Sequence, residues 1–364
     1  MPHPFAHFYR GKRVLVSGHT SFAGGWLTAW LKLLGAQVCG YGLPPSARPN
    51  FFDVTLLDRG MTSIFGDLRN RELLANAFAD FQPEIVIHYA AQVSAQHAKA
   101  DPVEAFAGTV MGTVHILEEA RHIDSVRAVV VANRDRCYQN RTGLSEQREQ
   151  DALGGSDFLG ATAACAELAA SAYRSEFFLS SKTAVATARS GNVIGGGDWA
   201  EGELVPEIVR AILAGKPIAI EEATTPQMWQ HVLEPVRAHL LLAQRLFERG
   251  QQFSGEWNFA PHHKDAMTPR QLAESFIELW DAGEVFVSAG SSARSSEEKR
   301  LPAQPPFHLN NQKAQAKLDW NPALPLKDAI VWTVEWYKAF YADPASSWRT
   351  TEDQIQRYMR SSAK

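Results

Sequence analysis

Short apolar runs alternate with amphipathic stretches through the first half of the chain. The runs are rich in β-branched residues, which is typical of strands buried on both faces of a parallel sheet. The stretches between them place apolar residues at helical spacing. The runs predicted to be strands are RVLVSG (13–18), QVCGYG (37–42), SIFGD (63–67), EIVIHYA (84–90) and RAVVVAN (127–133). This alternation predicts βαβ units and therefore an α/β fold with a parallel sheet.

The helices predicted between these strands include GGWLTAWLKLLG (24–35), which directly follows the first strand. The apolar spacing of residues 102–123 indicates a long crossover helix. Beyond residues 184–198 the segments become longer and less regular, with amphipathic helices predicted at 204–215 and 235–250. The change indicates a second, smaller lobe packed against the carboxyl ends of the strands, where open α/β sheets bind their ligands.

The chain has 364 residues, of which 45% are hydrophobic and 10% aromatic, a composition typical of a folded globular protein. We expect a sheet domain over residues 1–190, a smaller lobe over 191–340 that is partly interleaved with the sheet, and a helical tail over 341–364. The formal charge of −4 is spread without long runs, so nothing in it indicates nucleic acid or a membrane surface as a partner. This composition favours small-molecule partners.

No apolar run near the start is typical of a secretion signal, and no later run approaches the ~20 residues of a membrane span. We therefore expect a cytoplasmic protein. The cysteines, Cys39, Cys137 and Cys165, have no paired spacing. We predict buried free thiols, with neither a disulfide framework nor a metal site.

A glycine-rich turn, SGHTSFAGGWL (17–27), joins the first predicted strand to its helix. Such a turn lets backbone N–H groups and the helix N-terminus approach a pyrophosphate. Gly18 and Gly24 occupy the outer positions of a GxxGxxG pattern, and Ser21 occupies the middle one. Its side chain narrows the approach of the backbone to a phosphate. The pattern predicts a dinucleotide site at this turn.

Asp67 ends a later predicted strand, in FGDLR. This position is suited to contact with the adenine ring of a dinucleotide. The alternative is an aspartate that caps the helix beginning near RNRELLANAF. The sequence leaves both interpretations open.

Further sequence blocks follow one another along residues 11–337. They are GKRVLVSGHTSF, QPEIVIHYAAQ, VMGTVHILE, RCYQN, CAEL, ARSGNVIGGGDWAE, WQHVLEP and WNFAP. In this order they resemble the bacterial CDP-glucose 4,6-dehydratases of the extended short-chain dehydrogenase/reductase superfamily. The resemblance implies an NAD(P)-binding Rossmann fold that would hold NAD and a C-terminal lobe that would hold a nucleotide-linked sugar. It also implies a homodimer formed through helices that flank the sheet.

The same resemblance implies which residues contact the two ligands. Those expected at the cofactor are Gly18, Thr20, Ser21, Phe22, Gly24, Asp67, Leu68, Ala90, Ala91 and Gln92. Those expected at the substrate are Asn192, Gly197, Trp199, Val205, Gln230 and His231.

Members of that family oxidise C4 of the hexose, eliminate water across C5 and C6, and return the hydride to C6. The oxidation uses a tyrosine base whose pKa is lowered by a lysine one helical turn later. With CAEL as the anchor, the tyrosine position is Leu159 and the lysine position is Ala163, and no tyrosine or lysine occurs between Ala152 and Ala172. Neither replacement can transfer a proton.

The elimination step needs a further acid and base, which the family supplies from a short segment after the fifth strand. With CYQN as the anchor, that segment keeps Asp135, while Asn133, Arg134 and Arg136 replace the hydroxyl residue, its neighbour and the lysine. Arginine stays protonated near neutral pH, so it suits binding of phosphate or carboxylate better than proton transfer. Asp135, Arg136 and Arg134 are the candidate catalytic residues, although Asp135 is equally well interpreted as a hydrogen-bonded strand-end residue.

Other positions that face the ligands in the family also differ here. They are Gln96, Ala98, Thr109 and Gln227. The remaining conspicuous residues have structural interpretations. We expect Tyr138 and Tyr173 to pack in the core or at its rim, Lys182 to lie in a solvated loop, and Trp26, Trp30 and Trp336 to lie in the core.

Three functions stay open. The first is an atypical lyase of the epimerase/dehydratase family that acts on a CDP-hexose-like substrate through altered chemistry, such as a non-redox elimination, an epimerisation or a lyase reaction. The second is a non-catalytic partner or ligand-sensing pseudoenzyme, favoured by the loss of the proton-transfer pair. The third, least favoured, is an ordinary CDP-glucose 4,6-dehydratase. Arg134 and Arg136 favour the first function, because arginines at these positions indicate a pocket adapted to a different substrate.

Overall fold

The computed structural model describes residue 5 and residues 7–89, 95–139, 146–155, 157–221, 226–262, 265–288 and 308–362. The strands are β1 (Arg13–Ser17), β2 (Gln37–Gly42), β3 (Thr62–Phe65), β4 (Ile85–His88), β5 (Ala128–Arg134), β6 (Ala184–Ser190), β7 (Asn192–Ile194), β8 (Ile218–Glu221), β9 (Gln227–His231), β10 (Gly255–Phe259), β11 (Ala266–Met267) and β12 (Val285–Ser288).

The helices alternate with the strands through the first half of the chain and dominate the C-terminal end. They are α1 (Phe22–Leu33), α2 (Phe51–Val54), α3 (Arg71–Phe81), α4 (Ala95–Ala100), α5 (Pro102–Phe106), α6 (Gly112–His122), α7 (Phe158–Tyr173), α8 (Leu204–Leu213), α9 (Leu233–Arg249), α10 (Pro269–Trp280), α11 (Gln312–Leu318), α12 (Leu326–Ala342) and α13 (Ser347–Ser361). None of these helices is long and apolar enough to span a membrane.

A seven-stranded sheet in the order β10-β6-β5-β4-β1-β2-β3 forms the centre of the fold, and all of its strands run parallel. Helices cover both faces, which explains why the central strands are predominantly apolar. The strand order reverses between β1 and β4, and ligands of open α/β sheets bind in the crevice at such a point. The predicted α/β Rossmann fold with a parallel sheet is confirmed.

The long crossover helix predicted for residues 102–123 is interrupted. It consists of α5, a π-helical turn at Ala107–Met111, and α6. A π-helical turn inserts an extra residue into the helical ladder and re-aims the side chains around it. Here the turn brings Thr109 to a small cavity below the carboxyl ends of the strands.

The later part of the chain contributes to two regions. Strands β7, β9 and β11 form one small sheet and β8 pairs with β12 in another, with α8 and α10 packed beside them. The chain then returns to the large sheet, because α9 packs against β5 and β6 and β10 adds its seventh strand. The boundary predicted at residue 190 stays a prediction.

Aromatic side chains fill the core between α1, α12 and α13. Trp26, Trp30 and Trp336 are fully buried, as predicted. Their indole nitrogens matter as well, since Trp26 Nε1 donates to the carbonyl of Gly196 at 2.9 Å and Trp336 Nε1 donates to Thr351 Oγ1 at 2.9 Å. The C-terminal helix α13 thereby becomes part of the main core.

A buried ion pair joins α7 to β6. The Arg189 guanidinium binds both carboxylate oxygens of Glu167 at 2.9 Å, and the two side chains are only 1% and 2% exposed. Thr187 donates a hydrogen bond to the same carboxylate at 2.6 Å, and Asn133 donates another at 3.1 Å. Arg189 also donates to the Tyr138 hydroxyl at 2.6 Å. Every oxygen of the buried carboxylate is therefore paired, which offsets its loss of hydration.

We expect Glu167→Gln to lower the free energy of unfolding by about 3–5 kcal/mol, because it leaves the Arg189 charge buried without its counter-ion. Urea denaturation followed by tryptophan fluorescence measures the change. Lys182→Met is the matched control, since Lys182 pairs with Asp124 at 3.0 Å on the surface. Solvent screens that pair, so little change is expected in the control. Equal losses in both variants would contradict the role given to Glu167.

Candidate functional site

The turn between β1 and α1 is built around close contact between two glycines. Gly18 has φ +78°, and a Cβ on Gly24 would lie 2.1 Å from the Gly18 carbonyl oxygen. Ser21 caps α1, because its Oγ accepts from the Gly24 N–H at 3.2 Å and donates to the Gly18 carbonyl at 2.7 Å. The serine hydroxyl is thus turned into the loop, and the first N–H groups of α1 have no partner within the helix.

This geometry fits a dinucleotide pyrophosphate. A helix N-terminus carries partial positive charge and free N–H donors, both of which favour a phosphate. The absence of a side chain at Gly24 keeps the helix close to β1, and Ser21 takes the middle position without positive φ. The residues present at the turn are therefore compatible with the predicted cofactor.

A buried polar chain supports this turn from below. Ser17 Oγ lies 2.5 Å from His88 Nδ1, and His88 Nε2 lies 3.1 Å from Thr113 Oγ1. Burial lowers the pKa of His88 to about 3, so the ring is neutral. The chain ties the ends of β1 and β4 to α6. The sequence analysis did not predict this chain of hydrogen bonds, although Ser17 and His88 are polar residues at the ends of two apolar runs.

Asp67 is engaged by a neighbouring arginine. Its Oδ1 accepts from Arg69 Nε at 2.9 Å, and Arg69 Nη2 lies 2.5 Å from Oδ2. These hydrogen bonds lower the pKa of Asp67. Asn70 caps α3 by accepting from the Leu73 N–H at 3.1 Å. The helix-cap interpretation of Asp67 is therefore wrong, and its contact with adenine stays a prediction.

Of the other predicted cofactor residues, Thr20 donates to the Leu43 carbonyl at 2.8 Å. Leu68 is buried, and its carbonyl accepts from His115 Nδ1 at 2.8 Å. Phe22 is half-buried and lies beside Gly195. Ala90, Ala91 and Gln92 lie outside the described residues.

Leu159 and Ala163 are buried residues of α7. Leu159 packs with Ala98 and Ala105 in a small apolar cluster. Ala98 and Leu159 replace two polar residues of the resembled family, so the two replacements are in contact with each other. The two residues are 61 positions apart in the sequence, which does not indicate this contact.

A cavity of about 10 Å³ remains beside them, which holds no more than one water molecule. Its walls are Thr109, Thr113, Val131, Ala132, Asn133, Arg134, Leu159, Thr162, Ala163 and Ala166. Arg134 is the sole titratable residue among these described walls. The cavity therefore contains hydroxyls and an amide, but no group suited to proton transfer near neutral pH.

Asn133 acts as a structural link at the position where the family has a hydroxyl residue. Its Nδ2 donates to the Ala163 carbonyl at 2.9 Å and to Glu167 Oε1 at 3.1 Å. Its Oδ1 accepts from the Arg134 N–H at 2.8 Å. The amide therefore fixes α7 against the end of β5.

Asp135 follows β5 and lies against Gly191, where a Cβ would be 3.0 Å from Oδ2. Burial raises the pKa of Asp135 to about 6, although the charges of Arg136 and Arg134 oppose the rise. Arg136 is exposed, and its Nη1 lies 3.7 Å from Asp157 Oδ2 at the N-terminus of α7. The three candidate catalytic residues are consecutive and lie at one end of the sheet, and the pKa of Asp135 is close to neutral pH.

Three predicted substrate residues lie on β7 or in the turn after it, and their surroundings differ. Asn192 is half-buried, and its Nδ2 donates to Gln227 Oε1 at 3.3 Å. Gly197 has φ +85°, and a side chain there would collide with Phe51. Trp199 packs against Trp336 within the aromatic core. Contact of these residues with a sugar nucleotide stays a prediction.

The other predicted substrate residues are buried. Val205 lies in the first turn of α8, and Gln230 donates to the Phe259 carbonyl at 3.3 Å. Burial lowers the pKa of His231 to about 3, and its ring packs edge-on against Trp26. A neutral ring in these surroundings supports the core. Their roles toward a substrate also stay predictions.

Several further interpretations can be checked. Tyr138 is buried and donates to Asn258 Oδ1 at 2.7 Å, so its predicted structural role is confirmed. Cys39 and Cys137 are buried free thiols as predicted, but Cys165 is partly exposed, because it lies on the outer side of α7. Within the described ranges, no cluster of histidine, cysteine or carboxylate side chains is suited to a metal ion.

The model of the NAD dependent epimerase/dehydratase family matches residues 14–254. This chain belongs to that family. The match begins at β1 and runs through α9, so it includes the glycine turn, the cavity and Asp135.

Among family relatives, the CDP-glucose 4,6-dehydratase of Salmonella typhimurium is 38% identical over 339 residues, which cover 92% of each chain. UDP-glucuronate 4-epimerase 1 of Arabidopsis thaliana is 29% identical over 149 residues, covering 39% of this chain and 33% of the relative. The resemblance to the dehydratases is therefore confirmed over 92% of the chain.

Solved structures of the family share the fold. The UDP-glucose 4-epimerase of Thermotoga maritima, solved with UDP-glucose, superimposes with a TM-score of 0.77 at 20% identity, covering 90% of this chain and 99% of the other. The dTDP-glucose 4,6-dehydratase of Bacillus anthracis, solved with NAD, gives a TM-score of 0.73 at 17% identity, covering 94% and 100%. These matches show that the Rossmann architecture is that of the family.

The raised pKa of Asp135 predicts a dependence of stability on pH. The folded protein holds this proton with a pKa of about 6, above the ordinary 3.8 of an unfolded chain. The associated stability is present below the lower value and is lost as the pH rises through the higher one. Urea denaturation between pH 4 and 7 is expected to show this loss in the wild type relative to Asp135→Asn. Parallel profiles would contradict the assigned pKa.

Proposed function

We propose that this protein binds NAD at the turn between β1 and α1 and a CDP-hexose-like nucleotide sugar beside it, and acts on the sugar by proton transfer. The fit of Gly18, Ser21 and Gly24 to a pyrophosphate supports the cofactor. Bound NAD supplies a hydride acceptor. The similarity to a CDP-glucose 4,6-dehydratase over 92% of the chain supports the class of sugar.

The apolar cluster of Leu159, Ala98 and Ala105 is the observation that carries the proposal of altered chemistry. Oxidation of a sugar hydroxyl needs a base within hydrogen-bond reach of the proton. On α7 that place is taken by Leu159, and Ala163 replaces the lysine that would lower the pKa of a base. A sugar hydroxyl beside α7 therefore finds no proton acceptor on this helix.

Asp135 is the group that we expect to move a proton. A carboxyl with a pKa of about 6 is populated in both protonation states near neutral pH, which is the condition for general acid and base catalysis. The neighbouring Arg136 suits an anionic group of a substrate. This combination supports a non-redox elimination, an epimerisation or a lyase reaction.

A second function is a non-catalytic partner or ligand-sensing protein. The small volume of the cavity favours it, since about 10 Å³ holds no more than one water molecule beside α7. Asp135 would then be a half-buried strand-end residue whose raised pKa has no catalytic use. An ordinary CDP-glucose 4,6-dehydratase is the least favoured function, because its base would have to come from elsewhere.

We expect calorimetric titration to detect binding of NAD and of CDP-glucose, but no 4-keto product when both are supplied together. The alkali-induced absorbance of 4-keto sugars measures the product. A product from the unmodified protein would contradict the proposal that Leu159 and Ala163 disable the standard route. Absence of binding for both ligands at millimolar concentration would reject the proposed ligands.

The double substitution Leu159→Tyr with Ala163→Lys tests whether the rest of the site remains competent. Partial product formation is expected only if the apolar replacements are the main defect. Leu159→Phe with Ala163→Met is the matched control, because it adds similar volume without a proton-transfer group. Product from the control would show that added bulk, not acid–base chemistry, restores turnover.

We propose that the protein is a homodimer formed through α5–α7. Apolar side chains are exposed on this layer: Val103 is 79%, Met111 45% and Leu168 59% exposed. Their burial against a second copy would remove apolar surface from water. The proposed occupant is a second copy of this chain, because the resemblance implies pairing through helices that flank the sheet.

Leu168→Glu is expected to shift the protein from dimer to monomer, since a charge would be buried in the interface. Sedimentation velocity measures the mass. Leu213→Glu is the control, because Leu213 is 46% exposed on α8, outside this layer. A monomeric wild type, or dissociation by the control alone, would contradict the proposed interface.

A further inference from the structure

One arginine at the carboxyl edge of the sheet carries a charge without a counter-ion. Arg134 ends β5 opposite Ser190 of β6, at the edge where open sheets bind their ligands. It is half-buried, and it lines the small cavity beside α7. Its backbone N–H donates to Asn133 Oδ1 at 2.8 Å, but within the described ranges its guanidinium has neither a hydrogen bond nor an ion pair. The N–H donors of the guanidinium are therefore available to a ligand.

Charged groups from two parts of the chain act on the Arg134 guanidinium. Asp135, Arg136 and Asp157 act on it from the end of β5 and the start of α7. Glu203, which precedes α8, acts on it from the later part of the chain. Burial nevertheless lowers the pKa of Arg134, so these carboxylates do not fully replace the water that burial removes. The guanidinium still keeps its charge near neutral pH.

An anionic ligand would supply the counter-ion that Arg134 lacks. A charge that has lost part of its water and has no partner is unfavourable. The planar guanidinium matches a carboxylate through two parallel hydrogen bonds, a geometry that a lysine does not offer. The hexose of CDP-glucose is neutral and carries no such group. Arg134 therefore favours a sugar that bears a carboxylate.

The chemistry proposed for this site leads to the same class of sugar. Elimination or epimerisation without oxidation begins with removal of a proton from carbon, and the C–H protons of a neutral hexose are not acidic. Oxidation of a neighbouring hydroxyl would make them acidic, but α7 provides no base for that step. A carboxylate on the adjacent carbon is the alternative, because it takes up the electron pair and a cation stabilises the added charge. A base next to an arginine is suited to this class of reaction.

Asp135 is the residue next to Arg134 and has the properties of that base. Its carboxyl lies against Gly191, where a Cβ would be 3.0 Å from Oδ2. With a pKa of about 6, most of it is a carboxylate at neutral pH. The pyrophosphate of a nucleotide sugar is bonded to C1, so its charge does not acidify the other C–H bonds of the ring. A carboxylate on the sugar is therefore the anion that fits both residues.

We propose that the substrate is a nucleotide-linked hexuronate whose C6 carboxylate binds Arg134 and whose C5 proton is removed by Asp135. The C5–H bond breaks, the proton passes to the Asp135 carboxylate, and the electron pair forms a C4=C5 double bond as the C4–O bond breaks. The C4 hydroxyl leaves as water with the proton from Asp135, so no oxidant is consumed. The inference rests on the proposed function, namely binding of a nucleotide sugar and proton transfer by Asp135, and it names the class of that sugar.

Calorimetric titration of the full chain with CDP-glucuronate and with CDP-glucose, each with saturating NAD⁺, tests the class of sugar. The expected Kd for CDP-glucuronate is about tenfold below that for CDP-glucose, because a charge-assisted pair with the guanidinium is gained. Equal affinities, or tighter binding of CDP-glucose, would overturn the inference and leave the proposed function intact. Binding of neither sugar nucleotide would reject the proposed ligands, and the inference with them.

Arg134→Gln tests the cation. It is expected to weaken binding of CDP-glucuronate about tenfold and to leave binding of CDP-glucose unchanged. Arg357→Gln is the matched control, because Arg357 pairs with Glu335 at 3.0 Å between α13 and α12, and it is expected to change neither affinity. Equal weakening of both ligands in Arg134→Gln would assign Arg134 to the pyrophosphate that they share, and would overturn the inference.

Proton NMR of CDP-glucuronate incubated with the protein and NAD⁺ tests the reaction. The expected result is loss of the C5 proton signal and a new vinylic signal from the proton on C4, without fluorescence from NADH. Asp135→Asn is expected to abolish this product while CDP-glucuronate still binds, which separates proton transfer from binding. Absence of the product from the wild type, its formation by Asp135→Asn, or the appearance of NADH would each overturn the inference.

Discussion

The buried ion pair between Arg189 and Glu167 is the constraint on which the rest of this site depends. An unpaired charge in that position would be strongly destabilising, so each of the groups around it must stay in place. The pair joins α7 to β6, while Asn133 and Thr187 add hydrogen bonds from β5 and β6. These contacts hold α7 at a fixed depth against the carboxyl ends of the strands, where the chemistry of the fold takes place.

The side chains that hold α7 are distinct from those at the two positions where the resemblance implies a tyrosine and a lysine. Glu167 lies one helical turn beyond Ala163 and two beyond Leu159. Packing explains how this is possible, because Leu159 fills its place with Ala98 and Ala105 without disturbing the ion pair. The residues that position a helix differ from the residues that react with a substrate. Similarity in the positioning residues therefore does not determine the reaction.

The glycine turn between β1 and α1, at the same carboxyl edge of the sheet, has a geometry that fits a phosphate. The contact between Gly18 and Gly24 and the cap by Ser21 leave the helix N-terminus open toward a phosphate. Below it, the chain of Ser17, His88 and Thr113 is neutral and fully buried, so it fixes the strand ends without adding charge. The proposed binding turn and the cavity beside α7 therefore lie on two sides of the crevice, and Thr113 of α6 belongs to both, since it contacts His88 and lines the cavity.

The sequence by itself determined the parallel sheet of the first half, the glycine turn and the positions of Leu159 and Ala163, because strand periodicity and motif spacing are local properties. It did not predict that β10 joins the large sheet, since a short segment of mixed polar and apolar residues does not indicate which distant strand it pairs with. Nor did it predict the pKa of Asp135 or the contact of Leu159 with Ala98. Desolvation and packing arise from residues far apart in the chain, and only the tertiary structure brings those residues together.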